Sequence, residues 1–140
     1  MTRYLDASAH AKAYVGEEGS DRVRRWMRTG DCWTSRLGLV EVHSALIRRS
    51  RAGHITRRDL GRILAAVDGD ARSMPIAEFD EAVHHAACRL LRRHPLRGAD
   101  AVHVATALEL ADRLGGLIVA SWDDRFIEAA RALGLTVEGG

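Results

Sequence analysis

The sequence predicts an α/β fold, a parallel sheet with helices on both faces, and three observations carry that prediction. Short apolar runs alternate with segments whose apolar residues recur at helical spacing. One run, Leu117-Ile118-Val119-Ala120-Ser121, is unbroken, as suits a strand covered on both faces. The runs around Tyr4-Leu5 and Ile118-Val119 each lead within a few residues to an aspartate, Asp6 and Asp123, at the strand ends where open parallel sheets bind ligands.

Composition sets the outer bounds. A chain of 140 residues is the size of one domain, so residues 1–140 are expected to form a single unit around one core. Hydrophobic residues make up 46% and charged ones 29%, which excludes a disordered chain. No apolar run approaches the roughly 18 residues of a membrane span, and MTRYLDAS lacks the basic-then-apolar build of a signal peptide, so a cytoplasmic protein is expected. Cys32 and Cys88 stand far apart without CxxC or Cys/His spacing, which argues against a zinc site or disulfide framework and reads as two small buried hydrophobes. The net charge is +2, but Lys12 is the only lysine among 21 basic residues. Arginine's planar fork suits phosphate, so the surface leans toward RNA or an acidic partner.

Taken in order, Arg3 to Asp6 is a short strand that passes into the alanine-rich helical segment ASAHAKAYV, closed by Gly16. A helix over roughly Ser20 to Arg28 turns Val23, Trp26 and Met27 inward and Arg22, Arg25 and Arg28 outward. Cys32 to Thr34 forms a second strand, and Thr34 or Ser35 caps the next helix. There Leu37, Val40, Ser44 and Ile47 make one stripe, with Glu41 at its border, and the helix ends near Gly53. Thr56 and Asp59 have the form of a capping box ahead of the clearest amphipathic pattern in the chain, Leu60, Ile63, Leu64 and Val67. Ser73 to Ala77 is a third strand, placed at an edge by Pro75. Glu78 to Arg93 is a helix with Val83, Ala86, Ala87, Leu90 and Leu91 inward and Arg89, Arg92 and Arg93 near its C-terminus. After His94-Pro95, Gly98 gives a sharp entry to a helix with Ala101, Val104, Ala105 and Leu108 buried and Asp100 in its first turn. Gly115-Gly116 turns the chain into the Leu117 strand; Asp123 opens a helix carrying Phe126, Ala130 and Leu133, closed by Gly134, and Leu135 to Val137 is the last strand.

Four acids, Asp6, Glu41, Asp100 and Asp123, thus occupy comparable junctions in distant parts of the chain. If they converge, two carboxylates about 4 Å apart repel by about 4 kcal/mol at an effective dielectric near 20, and a divalent cation is the usual remedy. All-oxygen ligands suit Mg²⁺ or Mn²⁺, which serve phosphodiester hydrolysis. Taken singly, each acid also has a structural reading: Asp6 and Asp123 as helix caps, Asp100 as a first-turn acid favoured by the helix dipole, Glu41 as a surface partner of an arginine. His103, one turn after Asp100, reads either as a partner or ligand at such a site or as a satisfied core histidine, and His43 is given no chemistry. Trp33 and Trp122 read as packing residues, with base stacking open for Trp122 beside Asp123. No nucleophile elbow, GxxxxGK[ST] or GxGxxG occurs.

YLDAS at Tyr4–Ser8, LVEVHSAL at Leu39–Leu46, LRGADAVHVATAL at Leu96–Leu108 and SWDDRF at Ser121–Phe126, in that order, resemble a PIN-domain ribonuclease, most closely the VapC toxins of type II toxin–antitoxin pairs. The resemblance implies a three-layer α/β/α sandwich, with a central mainly parallel sheet, that cleaves single-stranded or looped RNA. It makes Asp6, Glu41, Asp100 and Asp123 the catalytic acids, with Asp6, Asp100 and Asp123 as ligands of Mg²⁺ or Mn²⁺. Ser8 and Ser121 become supporting hydroxyls. Asp124 is a second candidate for the fourth acid, Asp123 being preferred because it follows the hydroxyl residue by two. The same resemblance implies a homodimer and a cognate VapB-type antitoxin. The alternatives on the residues alone are a non-catalytic RNA- or protein-binding module of this fold and a phosphatase or phosphotransfer domain, the latter weakened because no DxD follows the first strand.

Overall fold

The computed structural model describes all 140 residues. Five short strands, β1 (Arg3–Leu5), β2 (Cys32–Ser35), β3 (Ile76–Ala77), β4 (Ile118–Ser121) and β5 (Thr136–Gly139), form one sheet in the order β3-β2-β1-β4-β5. Every pairing is parallel, with Tyr4 opposite Trp33 on one side and Val119 on the other. The chain runs outward from β1 to β2 to β3, then returns to the centre at β4. The β1/β4 seam is therefore the topological switch point, where connections leave in opposite directions and a crevice opens beyond the strand ends.

Side chains alternate across the sheet and divide the core into two layers. Tyr4 and Val119 point to one face, where they pack with Val104, Ala107 and Leu110 of α6 (Gly98–Leu114) and Phe126 and Ala130 of α7 (Asp124–Ala132). Leu5 and Ala120 point to the other, against Ala9 of α1 (Ala7–Ala11) and Val23 and Trp26 of α2 (Ser20–Thr29). Tyr4 and Leu5 are both fully buried, which is why so short a strand holds the centre of the sheet. A third cluster joins α1 to α3 (Arg36–Arg51) and α4 (Arg57–Ala71) through Ala11, Leu39, Val42, Leu46 and Val67. A fourth joins α5 (Glu81–Arg93) to α6 through Val83, Ala87, Ala101 and Ala105. A 3₁₀ turn, Lys12–Tyr14, extends α1, so ASAHAKAYV is helical only in part. No helix is long and apolar enough to cross a membrane.

Several expectations are corrected by packing. On α3 the buried stripe is Leu39, Val42 and Leu46, whereas Val40 of the expected stripe is 64% exposed. The helix is apolar on more than one face, and its neighbours α1 and α4 decide which face is covered. Helix α5 starts at Glu81 rather than Glu78 because Asp80 caps it, accepting a hydrogen bond from the Val83 amide, and Leu91 faces outward. Gly98 has no positive φ, so the entry to α6 does not depend on glycine. Cys32 is buried as expected, but Cys88 lies on the exposed face of α5.

Candidate active site

Three of the four acids are placed by the end of an element, and Glu41 by the interior of a helix. Asp6 follows β1 and caps α1, its Oδ1 accepting a hydrogen bond from the Ala9 amide at 2.9 Å. Asp123 follows β4 and caps α7, accepting from the amides of Arg125 and Phe126. Asp100 stands in the first turn of α6, and Glu41 in the second turn of α3, a helix whose entry is fixed by Ser35 accepting from the Gly38 amide. The structural readings of Asp6, Asp100 and Asp123 are therefore all real. They do not compete with convergence: the four carboxylates line one cleft of about 70 Å³ at the β1/β4 switch point, together with Ser8, His103 and Phe126. At about 30 Å³ per water, that space suits an ion with a water or two rather than a nucleotide. Asp124 is not among the lining residues; it sits exposed in the first turn of α7.

Asp6 is the most constrained of the four. It is 5% exposed, and Oδ1 accepts from Ser8 Oγ at 2.6 Å while Oδ2 accepts from Ser121 Oγ at 2.6 Å. The two hydroxyls are held in turn, Ser8 Oγ accepting from the Trp122 amide at 2.8 Å and Ser121 Oγ from the Asp123 amide at 3.0 Å. This closed set ties the ends of β1 and β4 together and explains why both motifs carry a serine two residues from an aspartate. Burial pushes the Asp6 pKa up, against the hydrogen bonds from Ser121, Ser8 and the Ala9 amide and the influence of His103. Burial and then repulsion from Asp123 also push Asp100 up, opposed by Arg125, His103 and Arg97. No lysine or arginine forms an ion pair with any of the four acids, which sets aside the pairing of Glu41 with an arginine.

Glu41 bonds instead to His103 Nε2, and the His103 Nδ1 lies 2.7 Å from the hydroxyl of Tyr4, which also stands 3.0 Å from Ser35 Oγ. Larger cavities lie elsewhere, the largest of about 660 Å³ beside Tyr14, Arg49 and Arg62, away from the acids.

The PIN domain family model matches residues 3–132, a span that contains all four acids. The chain belongs to the PIN-domain family. Within it, the chain is 38% identical to Ribonuclease VapC49 of Mycobacterium tuberculosis over 138 residues, covering 96% of this chain and 92% of that protein. The family membership thus extends to the VapC ribonucleases of toxin–antitoxin systems. Among solved structures, FitAcB from Neisseria gonorrhoeae has a TM-score of 0.71 at 18% identity, covering 97% of this chain and 96% of that one. VapBC-5 from Mycobacterium tuberculosis, a member of the VapBC family of toxin–antitoxin systems, has a TM-score of 0.59 at 19% identity over 99% of this chain and 96% of that one. At those identities the two structures support the PIN fold alone.

The donor set of this PIN domain suits a hard cation: four carboxylates, no basic partner on three of them, and two whose ionised form is disfavoured as they stand. The carboxylates line the cleft without three of them closing on a common point. Sequence reading misses two residues of this PIN site, Tyr4 and Arg125. Tyr4 looked like a core residue, and its burial hides a hydroxyl turned along the sheet toward His103. Arg125 was passed over inside SWDDRF, although its charge acts on Asp100. The two readings of His103, partner at the site and core histidine, both hold: it is 5% exposed, with each ring nitrogen engaged. Trp122 packs near Trp26 with Arg22 and Lys12 over its ring, which favours the packing reading over base stacking.

Proposed function

We propose that this VapC-type protein is a metal-dependent endoribonuclease that hydrolyses phosphodiester bonds in single-stranded or looped RNA, using Asp6, Glu41, Asp100 and Asp123. One observation carries the reading: carboxylates from four separate segments line one small cleft at the switch point of a parallel sheet, without basic partners on Asp6, Asp100 or Asp123. Asp6, Asp100 and Asp123 would hold Mg²⁺ or Mn²⁺. Such an ion, when bound, supplies a hydroxide nucleophile at neutral pH and offsets charge on the reacting phosphate.

The chain's own residues divide the remaining tasks. Ser8 and Ser121 fix both oxygens of Asp6, so its ordering precedes substrate binding. Glu41 accepts from His103 at Oε1 and leaves its other oxygen for a water's proton. Arg97 and Arg125, whose charges act on Asp100, are the basic side chains placed to hold phosphates flanking the scissile bond. The cytoplasm is the compartment this reading requires. A cognate VapB-type antitoxin is the expected partner, by analogy with VapBC-5, and a second copy of the chain is the other; Met1, Val40, Phe79, Leu91 and Leu114 are the large exposed apolar residues available to it.

The test is incubation of purified protein with a mixed RNA pool and Mn²⁺, beside Asp6→Asn, Asp100→Asn and an EDTA control. Cleavage that disappears in both variants and with chelator is expected. Cleavage that persists in folded Asp6→Asn protein, or folded wild type that neither cuts RNA nor arrests growth on expression, overturns the assignment.

A further inference from the structure

His103 in the cleft, and Tyr4 buried behind it, are polar groups that the cation-binding acids do not explain. Tyr4 is fully buried and His103 is 5% exposed, so any hydrogen bond they make displaces a costly vacancy rather than water. The connection is continuous. The Gly38 amide donates to Ser35 Oγ at 2.9 Å, Tyr4 Oη lies 3.0 Å from that oxygen and 2.7 Å from His103 Nδ1, and His103 Nε2 reaches Glu41 Oε1. Four elements contribute to it: β1, β2, α3 and α6. The His103 ring is also held on its flank, its centroid 5.8 Å from that of Phe126 in an edge-on arrangement. Gly38 leaves room for the approach, since a Cβ there would stand 3.1 Å from Ser35 Oγ and 3.8 Å from His103 Cε1.

We propose that His103 is a positioning residue for Glu41, oriented by Tyr4, and that the Tyr4–His103–Glu41 line sets where the Glu41 carboxylate points. This rests on the ribonuclease reading above. An ionised carboxylate only accepts, so the bond from His103 to Glu41 requires hydrogen on Nε2. Tyr4 fixes the other nitrogen and prevents the ring from turning over. The need for such a device follows from the place of Glu41. Asp6 and Asp123 are locked by amides of their own helices, whereas Glu41 sits mid-helix on a long side chain, and holding such a side chain still costs rotamer entropy. His103 offsets that from a ring already ordered by packing. Support of this kind behind a metal or catalytic carboxylate is typically worth 10–100-fold.

The experiment is a double-mutant cycle in single-turnover RNA cleavage with Mn²⁺: wild type, His103→Leu, Glu41→Ala and the pair, with His103→Gln as the conservative variant that keeps an N–H near the Nε2 position. His103→Leu is expected to lower the maximal rate 10–100-fold with half-saturation by RNA changed less than about twofold, and His103→Gln to recover to within about fivefold of wild type. The double variant should be no slower than Glu41→Ala. Losses that multiply, or a His103→Gln variant as poor as His103→Leu, overturn the proposal. A second readout needs no catalysis: ¹⁵N NMR of the metal-free protein should show His103 protonated at Nε2, with that proton exchanging slowly in wild type and rapidly in Glu41→Ala. An unprotonated Nε2, or exchange unaltered by Glu41→Ala, overturns it even where the Leu variant fails to fold. Failure of wild type to cleave any RNA would instead sink the nuclease reading and leave the NMR result to stand on its own.

Discussion

Asp6 and His10 stand one helical turn apart on α1, joined by the hydrogen bond from the His10 amide to the Asp6 carbonyl at 2.9 Å, and both are buried. Asp6 has every carboxylate oxygen matched to a donor and opens on a cleft with three more acids. His10 lies behind it, 0% exposed; its Nε2 is 3.3 Å from Tyr14 Oη, which donates to Asp70 at 2.7 Å, and its Nδ1 has no partner. The contrast separates burial from function. A buried polar group at a site is held by a network that other functional groups share, whereas His10 is held by packing and carries one unsatisfied nitrogen as a stability cost.

Neutralising each residue in turn separates the two roles. Asp6→Asn keeps the size and the helix cap but removes the charge, and RNA cleavage is expected to fall by roughly 10³-fold or more while the melting temperature moves by only a few degrees. If cleavage survives within about tenfold, the shared network is structural and Asp6 belongs with His10. His10→Leu should leave neutral-pH cleavage within about twofold and act on stability alone. Burial holds the His10 pKa down to about 4, against the attraction of Asp70 and with His43 assisting. Between that value and the unfolded one near 6.5 the unfolded chain binds more protons. His10's contribution is thus complete above about pH 6.5 and is lost as pH falls toward 4, roughly 2 kcal/mol of it between pH 7 and pH 5. Urea unfolding of both proteins at the two pH values checks this: wild type should lose roughly 2 kcal/mol more than His10→Leu, and equal losses would show His10 to be ordinary.

A smaller change tests whether the network at Asp6 is shared. Ser121→Ala leaves Oδ2 without its hydroxyl donor and frees the Asp123 amide, on the strand that meets β1. A loss of about 1–3 kcal/mol in stability and about tenfold in cleavage is expected, since Asp6 keeps Ser8 and the Ala9 amide. Stability that falls without any change in cleavage would reduce the serine to a strut.

The two regions also differ in how far the sequence disclosed them. Strands at Tyr4-Leu5 and Ile118–Ser121, the caps at Asp6, Ser35, Thr56 and Asp123, and the placement of Asp6, Asp100 and Asp123 at element ends all follow from local spacing, and the structure agrees with them. What spacing does not contain is lateral reach. The Tyr4 hydroxyl meets His103 across 99 positions of chain, and nothing in the periodicity of either element shows the pair. His10 is equally silent: in an alanine-rich segment it carries no pattern, and only the packing of α3 and α4 over α1 reveals that it is sealed. Helix α3 fails for the opposite reason, too much signal. Leu37, Leu39, Val40, Val42, Leu46 and Ile47 offer two apolar stripes, and the choice between them is made by Ala11 and Val67, which belong to other helices.

The two places of Asp100, in the first turn of α6 and in the cleft, act on stability in opposite directions. As a first-turn acid on α6 it should stabilise the fold through the helix dipole, and Asp100→Asn would then lower the melting temperature with or without metal. As a member of the cleft it is crowded: burial and Asp123 raise its folded-state pKa above the unfolded value, so its contribution is present below the ordinary carboxylate range and is lost as pH rises through the folded pKa. At neutral pH the folded protein therefore bears the repulsion, and Asp100→Asn relieves it. Because the side chain is well solvated, the gain should be small, about 1–2 °C in the metal-free protein. With Mn²⁺ the order should reverse, since wild type binds the ion and is stabilised by mass action while the variant has lost a ligand. Melting curves that cross in this way place Asp100 with Asp6 as part of the site. A variant less stable than wild type in EDTA, and raised equally by Mn²⁺, would leave Asp100 as a first-turn acid alone and the cleft with three working carboxylates.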